Sequence, residues 1–254
     1  MGKIDDIQAY KEWTEYHRSL KRDKAADNLS PVERKKKLEK LEANVIEWIL
    51  FFFSEFAKYP FTKFHKKAIK RITTNMEWYE VLSWSRELAK STIVFMCMMY
   101  LVLTGKKKNV LLISNSHENA VRLLEPYKKA FESNSMLKAY YGDLREFGSW
   151  TADEFTLTTG ATFRAIGALE SPRGTRKDAV RPDTALVDDF DTDADCRNPD
   201  ILKKKWEWFE EALFPTRSIS EDLLVIFCGN LIALDCCVKR AGDKADHWDI
   251  VNIR

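Results

Sequence analysis

Apolar and polar positions change rhythm along this 254-residue chain. Residues 1–28 are charged and mostly helix-compatible, and they contain Trp13 and Tyr16. Ser30-Pro31-Val32-Glu33 is a helix start: Ser30 caps, Pro31 suits the first helical position, and Glu33 reaches back to close a capping box. The pattern predicts one helix from there to Phe53, its second half buried. Tyr59-Pro60-Phe61 breaks it, and a second helix is predicted over residues 62–71.

From Tyr79 the period changes. Residues 79–82 predict a strand, and residues 90–104 a helix that is apolar on nearly all faces. The run 109–114 reads as a buried strand. Asn115 and Glu118 mark the start of a helix to about Ser133. Residues 155–158 and 162–166 flank Thr159-Gly160-Ala161 as a hairpin. Residues 184–187 predict a buried strand ending in acid, 199–214 a helix, and 223–229 a last apolar strand. Strands alternating with helices imply an α/β fold with a mostly parallel central sheet flanked by helices. An N-terminal helical extension over residues 1–58 precedes it, so the main domain is expected at 59–254.

Composition narrows this little. Hydrophobic residues make up 45% and the net charge is +2, so the whole-chain balance does not announce a polyanion binder. The basic residues are nonetheless clustered at 34–37, 66–67, 106–108 and 203–205. Lys35–Lys37 and Lys106–Lys108 are candidates for nucleic-acid contact. Five cysteines without C-x-x-C spacing argue against a disulfide framework and for a reducing compartment. The longest apolar run, residues 93–103, is too short for a bilayer, which needs roughly 20 residues, and no membrane association is expected.

The candidate chemistry begins between the strand at 79–82 and the apolar helix. Ser83-Trp84-Ser85-Arg86-Glu87-Leu88-Ala89-Lys90-Ser91-Thr92 is a loop ending in Lys-Ser-Thr at a helix start, the build of a phosphate-binding loop. Lys90 would reach the β- and γ-phosphates, Ser91 would ligate Mg²⁺, and the amides of residues 88–92 would cradle phosphate. Both glycine positions of the usual G-x-x-x-x-G-K-[ST] pattern are filled otherwise, by Trp84 and Ala89. Trp84 must then face away from a nucleotide.

Three further segments follow in order. Leu186-Val187-Asp188-Asp189-Phe190-Asp191 delivers carboxylates to the C-terminal end of a strand, where open α/β sheets bind ligands. Asp188 suits a metal role and Asp189 the activation of water, with Asp191 as its rival. A calcium loop built on Asp188, Asp189, Asp191, Asp193 and Asp195 would lack the glycine and terminal glutamate of that motif. Asn230, at the tip of the last strand, could sense a γ-phosphate. The loop from Gly167 to Arg176 could present Arg173 or Arg176 to phosphate.

Taken in order, Phe64-His65, the loop from Arg86 to Ser91, Pro172-Arg173-Gly174, Arg181 through Asp189, and residues 226–230 resemble the ATPase domain of the large terminase subunit of tailed bacteriophages. The resemblance covers residues 47–254. It implies a P-loop NTPase fold and a DNA-packaging motor using ATP and Mg²⁺. The implied partners are double-stranded DNA, the portal protein, the small terminase subunit and further copies of the chain in a ring, expected to be a pentamer. The implied location is the host cytoplasm, with transient docking on the procapsid. By position, Arg86, Glu87, Leu88, Ala89, Lys90, Ser91, Thr92 and Asn230 would contact nucleotide, and Ser91 and Asp188 metal. Arg86 would act on phosphate within the subunit. The position after Walker B is commonly glutamate in that family and is Asp189 here. Arg173, ahead of Arg176, is the candidate finger toward a neighbouring subunit. The chain ends at Arg254, soon after the coupling motif, so an ATPase fragment without nuclease activity is expected. The alternatives are a helicase-like P-loop ATPase and a non-catalytic nucleotide-binding scaffold.

Overall fold

A computed structural model describes residues 29–57, 59–172, 181–217 and 222–252. Its centre is an eight-stranded sheet of order β3-β4-β5-β2-β6-β7-β1-β8. The strands are β1 (Trp78–Trp84), β2 (Asn109–Ser114), β3 (Arg145–Trp150), β4 (Glu154–Leu157), β5 (Thr162–Gly167), β6 (Thr184–Asp188), β7 (Leu224–Cys228) and β8 (His247–Val251). From β5 to β8 all neighbours are parallel; the β3-β4 and β4-β5 pairs are antiparallel. The expected hairpin is therefore β4-β5. This is the α/β, mostly parallel architecture predicted from the alternation of strands and helices.

The helices are α1 (Pro31–Glu42), α2 (Val45–Phe52), α3 (Lys63–Thr74), α4 (Lys90–Leu103), α5 (His117–Ser133), α6 (Ser135–Tyr141), α7 (Asp193–Cys196), α8 (Pro199–Glu207) and α9 (Cys237–Lys244). Because side chains alternate along each strand, the sheet feeds two cores. Val110, Leu112, Leu186, Leu224 and Ile226 join α2, α4 and α5 on one face. Leu111, Ile113, Ala185, Val187, Val225 and Phe227 join α8 and α9 on the other. α4 is buried along nearly its whole length because it packs beneath both the sheet and the aromatic end of α2, where Trp48, Phe52 and Phe53 are fully covered.

Several boundaries differ from the sequence pattern. The capping box of Ser30 and Glu33 is present, but the helix breaks after Glu42. Asn44 accepts hydrogen bonds from the amides of Ile46 and Glu47 and starts α2 anew. Ser116, not Asn115, caps α5 by accepting from Asn119 N. α8 ends at Glu207, and residues 208–213 continue as a π-helical turn, then a 3₁₀ turn at Phe214–Thr216.

The lysine run at 106–108 also takes a structural role. Lys107 is buried, and its ammonium donates to the carbonyls of Met76, Asp183 and Asp222 at 2.9, 3.1 and 2.9 Å. These carbonyls lie just ahead of β1, β6 and β7, so one charge ties the N-terminal ends of three neighbouring strands. Lys107→Met leaves three carbonyls without that donor and should cost about 3 kcal/mol of unfolding free energy, read by urea denaturation. A loss below about 1 kcal/mol would show that the strand ends do not depend on the ammonium.

Candidate nucleotide site

The sheet order explains the site. β7 lies between β1, which leads into the loop at residues 86–92, and β6, which ends in acid. The C-terminal ends of all three therefore open on one cleft of ≈ 430 Å³. It is lined by Ser85, Arg86, Glu87, Leu88, Ala89, Lys90, Ser91, Thr92, Asp188, Asp189 and Asn230. Every sequence-predicted nucleotide or metal residue lines it. Arg173 and Arg176 lie outside the described residues. A larger cleft of ≈ 1120 Å³ between the end of α2 and α5 holds no convergent set of this kind.

Strand period decides where the carboxylates go. Leu186 faces α4, so Asp188, two residues on, faces α4 as well. There Ser91 Oγ donates to Asp188 Oδ2 at 2.6 Å. Asp188 is 8% exposed, and this burial, opposed by the Ser91 hydrogen bond, pushes its pKa up to about 6. Lys90 Nζ donates to Asn230 Oδ1 at 3.5 Å, so the strand tip of β7 touches the loop lysine. A hydroxyl and a carboxylate brought together form a hard-oxygen donor pair suited to Mg²⁺, and a cation there would relieve the desolvated charge of Asp188.

The loop achieves without glycine what glycine ordinarily permits. Ala89, the cap of α4, has φ 57°, and Glu87 has φ 70°. Asp189, just past β6, has φ 45°. Left-handed backbone at a residue bearing Cβ costs about 1–2 kcal/mol, and three of the four such non-glycine residues among the described ones line this cleft. α4 begins without a side-chain cap and without an acid in its first turn. Its orphan amides and positive dipole end thus face the cleft without a capping side chain of their own. Trp84 is not part of the loop at all. It is the last residue of β1, fully buried, with its ring 5.0 Å from Phe64 and 5.4 Å from His65.

Asp189 and Asp191 both line an adjoining cavity of ≈ 280 Å³ with Arg86 and Asn230, but they differ in their partners. Asp189 is exposed over the cleft beside Arg86, and neither side chain forms an ion pair or hydrogen bond among the described residues. Asp191 turns to the other face, where its Oδ2 accepts from Val238 N at 3.1 Å in the first turn of α9. The loop between them is held by Lys205, which is buried and donates to Phe190 O and, at 2.8 Å, to Asp195 Oδ2. Lys205 therefore leaves the 203–205 cluster, as Lys107 leaves the other.

Two side chains support the site in ways that the sequence pattern does not assign. His65 Nδ1 accepts from Thr62 N, and its Nε2–H donates to Leu88 O at 3.0 Å, pinning the loop from outside. Burial lowers its pKa, opposed by the Leu88 bond, so the ring is neutral at pH 7. The T-x-x-H spacing at the start of α3 is a capping-box signal that points to this ring. Lys205 carries no comparable mark in the sequence.

No protein-family model matches the chain, and no curated protein matches it. Among solved structures, the chain is similar to the large terminase of bacteriophage HK97, at 14% identity over 74% of this chain and a TM-score of 0.49. It spans 37% of that protein's length. It is also similar to the large terminase ATPase domain of Thermus phage P74-26, at 16% identity, 70% of this chain, 67% of that one and a TM-score of 0.44. An arginine-to-alanine mutant of the same domain gives 15% identity, 73% and 70% coverage, and a TM-score of 0.45. At these identities and scores the likeness carries no argument about activity; the site rests on its own geometry.

The buried carboxylate yields a test of stability. Since the folded pKa of Asp188 is raised from 3.8 to about 6, its ionisation opposes folding. The penalty is absent below pH 3.8 and complete above about pH 6. Asp188→Asn should therefore stabilise the protein by on the order of 2–3 kcal/mol at pH 7.5, measured by urea denaturation without nucleotide and with chelator. The gain should fade toward pH 4. A variant no more stable than wild type at pH 7.5 would refute the desolvated charge.

Proposed function

We propose that this chain is an ATP-hydrolysing motor domain of the phage large terminase type, driving translocation of double-stranded DNA. The observation that carries the ATPase part is the convergence of Lys90, Ser91, Asp188 and Asn230 in one cleft beneath an uncapped helix start. The translocase part rests on the order of motifs along the chain, which resembles that family from residue 47 onward. The portal protein, the small terminase subunit and a homo-oligomeric ring are the partners this reading implies, and Arg173 remains the candidate finger between subunits.

The loop amides and Lys90 would bind the β- and γ-phosphates. Ser91 and Asp188 would hold a Mg²⁺, which would supply positive charge beside the phosphates. The nucleobase has an apolar slot beside the loop. A cavity of ≈ 250 Å³ is lined by Phe56, Tyr59, Pro60, Phe64, Leu88 and Met96, among others. Asp189 is assigned to orient the attacking water, because its carboxylate is free over the cleft while that of Asp191 holds α9. Arg86 is assigned to the phosphate oxygens. Asn230 touches Lys90 on one side. On the other, Gly229 presses so closely on α9 that a Cβ there would come within 2.3 Å of Val238. Loss of the γ-phosphate would thus be felt by α9 through Asn230 and Gly229.

Hydrolysis by single-site variants tests the assignment. Lys90→Ala should abolish turnover. Asp189→Asn should lower kcat by about 10²–10⁴-fold while nucleotide still binds. Asp191→Asn should lower the melting temperature and leave kcat within a few fold. The reverse pattern, with Asp191→Asn inactive and Asp189→Asn active, would overturn the division of roles.

A further inference from the structure

α3 carries a feature that nucleotide binding does not use. Lys63, Lys66, Lys67 and Lys70 are all exposed, and their spacing places them within an arc of about 100° on one side of the helix. The opposite side holds Ala68, Ile69 and Ile72 against the core and His65 against the phosphate loop. α3 contains no Asp or Glu. None of the four ammonium groups forms an ion pair, hydrogen bond or ring contact among the described residues. The remaining cation, Arg71, is spent on Glu80 and Asp249 at 2.6 and 2.7 Å.

This arrangement works against the helix that carries it. Like charges at i,i+3 and i,i+4 repel by a few tenths of a kcal/mol per pair, about 0.2–0.5. Lys63 and Lys66 also sit in the first turn, where the helix dipole disfavours cations. The other lysine-rich surfaces are relieved. α1 interleaves Glu33, Glu39 and Glu42 with its lysines, and Lys37 packs over the Phe51 ring at 4.6 Å. Lys106 packs over Tyr100, and Lys203 pairs with Glu207. α3 alone among these keeps an unrelieved basic stripe, about 10 Å long, on a helix whose reverse side is hydrogen-bonded to the phosphate loop.

We propose that the solvent face of α3 is a docking surface for the phosphate backbone of duplex DNA, made by Lys63, Lys66, Lys67 and Lys70. The choice of duplex DNA rests on the motor reading above; the choice of surface rests on the stripe. Through His65 and Leu88 the docked helix would report to the nucleotide loop.

The test is binding of a short fluorescent duplex, followed by anisotropy without ATP across a salt series, so that its outcome does not depend on hydrolysis. Replacing all four lysines by glutamine should weaken binding at least tenfold. It should also make the log–log salt slope shallower by about 3–4, since each phosphate that is no longer neutralised removes about 0.9. The melting temperature should not fall, because only like-charge repulsion is removed. The pair Lys66→Gln/Lys67→Gln should show about half the slope change. Lys35→Gln/Lys36→Gln/Lys40→Gln on α1 should change affinity less than threefold. Unchanged affinity and slope in the quadruple variant would make the stripe a solvated face and overturn the proposal. Equal affinity for single-stranded DNA or RNA of the same length would overturn the duplex assignment. Loss of ATPase activity in Lys90→Ala bears on the motor reading and leaves this result readable.

Discussion

A carboxylate buried at the end of a strand, 2.6 Å from a serine hydroxyl, is the constraint around which this protein is arranged. Asp188 reaches Ser91 because the alternation of β6 turns it toward α4, and because β7 is narrow enough a spacer for β1 and β6 to share a cleft. Its charge is disfavoured where it stands, and burial holds its pKa at about 6. The strained backbone at Glu87, Ala89 and Asp189 surrounds it. Strain of this kind persists only where neighbours over-determine it. Here the neighbours can be named: His65 on Leu88, Trp84 locked between Phe64 and His65, and Lys205 on the carbonyl of Phe190. The site is held open at a cost in stability that nucleotide and metal would offset.

What the sequence reveals follows burial. β2, β6, β7 and α4 are legible because they are covered on both faces and read as unbroken apolar runs between turns. The loop ahead of α4 and the acid at the end of β6 stand out because Lys-Ser-Thr at a helix start and adjacent carboxylates at a strand end are distinctive residue types. β3 and β8 are missed because they are the two edges of the sheet. Their residues are largely half-exposed or exposed and show no apolar run, down to a fully exposed Phe147. The break between α1 and α2 is missed because Asn44 acts as a cap inside what reads as one amphipathic helix. The choice between Asp189 and Asp191 is open in the sequence, since they lie two residues apart. It depends on a backbone turn at φ 45° that no local residue type announces.

Charge follows a different logic from hydrophobicity. Consecutive lysines draw the eye in the sequence, yet the middle of one run and the end of another are buried structural cations, Lys107 and Lys205. The four lysines of α3 are less conspicuous as a run, but helical spacing gathers them on one face. Two basic segments of equal charge can thus hold strands together or confront solvent, and the difference lies in whether carbonyls or carboxylates wait opposite.

Every proposed role at the phosphate end of the cleft depends on Ser91 and Asp188 acting as one metal-holding pair. Calorimetric titration of a non-hydrolysable ATP analogue, with Mg²⁺ and with chelator, measures this directly. Mg²⁺ should tighten binding to the wild-type protein at least tenfold, and Ser91→Ala should remove most of that gain while leaving metal-free binding intact. Binding that is indifferent to Mg²⁺, or a Mg²⁺ effect that survives Ser91→Ala unchanged, would contradict it.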